Sequence, residues 1–115
     1  MRRPLVLFAA LLAVPSAALA HHGWSSYDES KPITLSGSLQ TVTWGNPHGT
    51  ATMRWQGKPW DVVLAPTARM DARGLTEAAI APGQRISMIG YARRDGTAEM
   101  RIERVTAGGK TVELR

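Results

Sequence analysis

The side chains best suited to chemistry in this chain of 115 residues are its three histidines, and they stand at only two places, His21-His22 and His48. If a leader is cut after Ala20, the new α-amino group belongs to His21. That amine and the ring nitrogen of the same residue form a chelating pair, and the imidazole of His48 would add a third nitrogen in a T-shaped set of the histidine-brace kind. Nitrogen donors of this type favour Cu(II), the tightest binder of the divalent series. His22 could replace His21 or supply a fourth donor. A square-planar motif with histidine at mature position three is excluded, because Gly23 stands there. The arrangement makes one geometric demand: the mature N-terminus must lie beside the Asn46-Pro47-His48 turn, since the nitrogens must sit about 2 Å from one point. The competing reading is plain, with terminal histidines solvated and His48 hydrogen-bonded within its turn.

Further candidates are aromatic and cationic. Trp24, Trp44, Trp55 and Trp60 could form a platform, although tryptophans in a domain this small commonly fill the core. Arg93 and Arg94 open an Arg-Arg-Asp-Gly turn. Together with Trp24, Tyr27 and Asn46 they are the candidate ligand-binding residues, set against a solvated charged hairpin tip as the alternative. Asp28 and Glu29 adjoin the histidines and could orient an imidazole. Enzyme chemistry finds no support. No nucleophile elbow is present, and the acidic residues are scattered rather than paired in a recognisable hydrolytic motif.

These residues have to be delivered and positioned. Met1-Arg2-Arg3, the apolar run Leu5 to Val14, Pro15, and the small residues of Ala18-Leu19-Ala20 follow the pattern of a secretory leader. A membrane span needs about 20 apolar residues, and the run before Pro15 is roughly half that. The expectation is therefore a signal peptide over 1–20, a histidine-containing segment over 21–32 and a folded domain over 33–115, periplasmic or secreted, with no membrane span after cleavage. The chain has no cysteine, so neither disulfides nor a lipid-bearing cysteine enter. Its 14 basic residues against 9 acidic ones give a formal charge of +5, part of it from Arg2 and Arg3 in the leader. That mild excess is not the footprint of a nucleic-acid binder, and glycine-rich nucleotide motifs are missing.

Period-two alternation predicts a long first strand over Ile33 to Trp44, bent near Gly37, then strands over Thr50 to Trp55 and Trp60 to Leu64. Thr67 to Ile80 changes to helix formers interrupted at Gly74, and Pro82-Gly83 ends that part. Gln84 to Ala92 and Thr97 to Ala107 alternate again around the Asp95-Gly96 turn, with Met100, Ile102 and Val105 facing inward across an irregularity. Lys110 to Leu114 is a short terminal strand or tail. Three strands, a helix and two strands give the order of a mainly β, five-stranded OB-like Greek-key barrel with its helix between strands 3 and 4. A half-open β-roll with the helix over one end is the rival.

Four segments of the mature chain carry a resemblance: His21-His22-Gly23-Trp24-Ser25-Ser26-Tyr27-Asp28, Trp44-Gly45-Asn46-Pro47-His48, the isolated Trp60, and Gly90-Tyr91-Ala92-Arg93-Arg94-Asp95-Gly96. Together they resemble a proteobacterial family of exported proteins, domain of unknown function 6152. Where that family has a small residue and then Phe after the histidines, this chain has Gly23-Trp24. The resemblance implies export and a shared site, and it brings no activity with it. Two functions follow as expectations. One is a periplasmic copper-binding module using His21, His48 and His22, without turnover of its own. The other is an OB-like interaction domain for a peptide, a glycan or an exported protein.

Overall fold

A computed structural model describes residues 23–115. The period-two segments form seven strands: β1 (Ile33–Gly37), β2 (Thr41–Thr43), β3 (Thr50–Trp55), β4 (Lys58–Val63), β5 (Ile86–Ala92), β6 (Glu99–Ala107) and β7 (Lys110–Glu113). Their order across the sheet is β1-β5-β6-β4-β3-β2, with β7 also on β6. The sheet curls into a half-barrel, and its concave side holds the core.

The count of five strands is corrected to seven, for two physical reasons. The expected first strand is divided because its halves serve different neighbours. β1 is antiparallel to β5 with Leu35 opposite Met88, whereas β2 is antiparallel to β3 with Thr41 opposite Thr52. Between them Leu39 turns into the core, and the Gln40 N–H already donates to the Thr52 carbonyl. The seventh strand arises because a Gly108-Gly109 turn, with φ of 56° and 77°, folds the tail back onto β6. Both residues adopt the left-handed backbone that tight hairpins need.

Local chemistry sets most other boundaries. Gln56 and Gly57 have φ of 51° and 77°, a two-residue hairpin that starts β4 at Lys58, two residues before the expected strand. The helix α1 (Thr67–Ala72) follows Pro66 and stops at Gly74, φ 87°. There the Leu75 N–H donates to the Met70 carbonyl and the Gly74 N–H to that of Asp71, a Schellman closure. A 3-10 turn over Ala78–Ile80 completes the segment between β4 and β5. It drives Met70, Leu75 and Ile80 into the core.

β6 organises the sheet. Its first residues run parallel to β4, Asp61 to Val63 matching Glu99 to Arg101. Its second half pairs with β7 on the same side. Against β5 the register jumps so that Ile89 faces Arg104 and Gly90 faces Ile102, leaving Glu103 as the extra residue of a bulge. Alternation inward therefore survives the expected irregularity, and Met100, Ile102 and Val105 are all fully buried. Of the tryptophans, Trp60 is buried and Trp44 and Trp55 are half-buried against the core. Trp55 and Trp60 meet edge to face with centroids 5.5 Å apart. Trp24 sits on the outer face. Among the described residues no helix is long and apolar enough to cross a membrane.

Candidate functional site

The convex face of the sheet carries the residues that the core leaves over. Two cross-strand rows define it. The first runs Thr41 (β2), Thr52 (β3), Asp61 (β4), Glu99 (β6), Arg93 just beyond β5, and Tyr27 of the N-terminal segment. The second runs Thr43, Thr50, Val63, Arg101 and Tyr91 on the same strands. Between the rows lies an open groove of about 270 Å³, walled chiefly by Thr41, Thr43, Thr50, Thr52, Asp61 and Glu99. A second open depression, of about 350 Å³, continues it past Pro59 towards Thr97 and Ala98.

Both ends of the first row are internally satisfied. The Thr41 and Thr52 hydroxyls share a hydrogen bond of 2.6 Å. At the other end the Tyr27 hydroxyl donates to Glu99 Oε2 at 2.7 Å, and Arg93 Nη1 approaches the same oxygen at 3.4 Å. Burial, reinforced by the hydrogen bond to Glu99, pushes the Tyr27 phenol well above its ordinary range, so it stays a donor. In the middle of the row the exposed Asp61 carboxylate engages no other described side chain.

The N-terminal segment is strapped across the outer face of β5 and β6. Tyr27 bridges Arg93 in antiparallel fashion, the Asp28 N–H donates to the Ala92 carbonyl, and the Arg94 N–H donates to that of Ser26. The Arg94 guanidinium adds a bond to the Ser25 carbonyl at 3.0 Å. Trp24 lies edge-on to Tyr91, with the guanidiniums of Arg101 and Arg115 at 4.3 and 4.5 Å from its ring. Desolvation by burial lowers the Arg101 pKa. Arg115 also pairs with Glu29, so the two ends of the described chain are joined.

The structure thus brings Trp24, Tyr27, Arg93 and Arg94 together, and all four hold the strap in place. Arg93 further pairs with Asp95 at 3.0 Å. Asp28 accepts from the Ser30 hydroxyl and backbone, which lowers its pKa, and so shapes its own turn. Asn46 and His48 lie elsewhere, on the β2–β3 connection. That connection is tied to the far end of β4 by Gly49, which exchanges bonds with Leu64 and Ala65. The β5–β6 hairpin is tied to β4 further back, through the Asp61 N–H and the Ala98 carbonyl. Asn46 is exposed and cis to Pro47, and His48 is half-buried. His21 and His22 lie outside the described residues. Among the described residues no three His, Cys, Asp or Glu side chains gather as a metal-ligating group.

Sequence reasoning did not single out Asp61 or Glu99. Alternation places Asp61 on the outer face, but its neighbour comes from a parallel strand pairing that leaves no local mark.

No curated protein matches the chain. A family model does: it aligns with residues 9–101, most of the sequence and every strand up to the start of β6, and the chain belongs to the family of unknown function DUF6152.

Proposed function

We propose that the chain is an exported OB-like interaction domain that holds an extended polar ligand, without turnover of its own. Support for the OB-like reading is the connectivity: β1 and β2 act as halves of one bent strand, the helix follows β4, and β6 returns parallel to β4. The observation that carries the function is the hydroxyl-lined groove on the convex face between the β2–β3 connection and the β5–β6 hairpin, with the Asp61 carboxylate, which engages no other described side chain, at its centre. Amide chemical-shift mapping tests it, using the processed protein with chito-oligosaccharides and short extended peptides. Shifts gathered on Thr41, Thr50, Thr52 and Asp61 are expected. Shifts confined to the strap or the β2–β3 connection would overturn the reading.

A second reading keeps copper, with His21, His48 and His22 as donors. It is favoured by the chelating chemistry of an N-terminal histidine and by the short, pinned connection that carries His48. Cu(II) titration compares the processed protein with a form bearing one extra leading residue. Weaker binding by the extended form and by His48→Ala is the expected outcome, and equal affinity in all three removes the site.

A further inference from the structure

Along the first row, acceptors outnumber donors at one point only. Thr52, Asp61 and Glu99 are consecutive cross-strand neighbours on three strands, spaced about 5 Å apart. Glu99 receives both Tyr27 and Arg93 on Oε2, and its Oε1 has no side-chain partner among the described residues. Asp61 contributes two oxygens that engage no side chain among the described residues. Three acceptor groups side by side along the groove match a group with three donors and no acceptor, the tetrahedral ammonium of lysine. A planar guanidinium prefers the two oxygens of one carboxylate in its own plane. A calcium ion would need six to eight oxygen ligands. The threonines repeat at every second residue along β2 and β3, which is the spacing of same-side side chains in an extended peptide. The chain as a whole carries a formal charge of +5, so attraction for a cation must be local to such a point.

We propose that Asp61, with Thr52 and Oε1 of Glu99, recognises the protonated side-chain amine of a lysine in an extended peptide lying in the groove. This rests on the groove reading above and names its ligand class. The test titrates the processed, isotope-labelled protein with N-acetylated trilysine amide, with the same peptide acetylated on every side chain, and with the triarginine equivalent. Trilysine should shift the amides of Thr52, Asp61 and Glu99. Side-chain acetylation and Asp61→Asn should each weaken binding about tenfold, the scale of a hydrogen bond to a charged group. Thr52→Val should weaken it several-fold, and triarginine should bind less well than trilysine. Asp61 is exposed, so the variant is expected to keep the native amide spectrum. Groove shifts of equal strength for free and acetylated peptides, unchanged by Asp61→Asn, would overturn the amine assignment and leave the groove reading standing. Absence of groove shifts with every peptide would also overturn the assignment, and the chito-oligosaccharide titration then decides the groove reading separately.

Discussion

Tyr27 and Tyr91 are the only tyrosines in the chain, and each donates its phenol proton to a carboxylate of β6, Glu99 at 2.7 Å and Glu103 at 2.6 Å. Burial first and Glu99 second raise the pKa of Tyr27, while the bond to Glu103 leads for Tyr91. A group whose folded pKa lies above its unfolded value contributes stability below that unfolded value, here 10.0. The contribution is lost as pH climbs through the folded value. Folded protein should therefore show little phenolate absorbance near pH 10, where free tyrosine is half-ionised, and the signal should rise together with unfolding. Early phenolate absorbance in protein that is still folded would contradict the assignment. Tyr27→Phe should cost about 1–2 kcal/mol in chemical denaturation, because Glu99 loses the shorter of its two hydrogen bonds. Sequence reasoning reached Tyr27 and Arg93, whose types announce binding or ion pairing. It could not reach Glu99, which lies 72 residues from Tyr27 and whose role depends wholly on where the chain returns.

At the level of elements, turn chemistry and alternation were legible. Asp95-Gly96, Gly57 and Gly74 stand at the turns and the helix end that their backbone freedom suggests, and the inward faces of β4, β5 and β6 follow from period two. The division of the first strand was not legible, since nothing local says that Thr41 will leave the neighbours of Leu35 for those of Thr52. Gly90 offers the sharpest test of the β5–β6 pairing at the bulge. A Cβ there would lie 2.6 Å from the Arg101 carbonyl oxygen and 2.8 Å from Ile102 Cδ1, and the first of these is backbone that cannot swing away. Gly49 is crowded chiefly by Met70 Cε at 2.8 Å, the end of a flexible side chain. Gly90→Ala is expected to cost about 2–4 kcal/mol and Gly49→Ala clearly less, on the scale of overpacked cores. Equal midpoints for the two variants in denaturant would show that the bulge is looser than described.

For the molecule as a whole, the strap makes the N-terminal segment part of the sheet rather than a free tail. Trp24→Ala should release it. In hydrogen exchange the Asp28 and Arg94 amides, bonded to Ala92 and Ser26, should lose protection while the β3–β4 amides keep theirs. Loss of protection throughout would make the strap integral to folding instead. A mainly β, barrel-like chain with one helix was legible from period-two alternation, although the strand count was not, and neither was the strap, because its attachment uses a single bridge and scattered bonds without a periodic pattern. The last strand bears a consequence of its own. Carbonyls of Glu113, Leu114 and Arg115 are taken by Arg73 and Arg69 from the helix segment. Exposed strand borders invite neighbouring molecules to add on and grow into aggregates. With guanidinium groups already seated on those oxygens, the last residues after β7 offer fewer open acceptors for an added strand, in a chain that has no cysteine to tie it covalently.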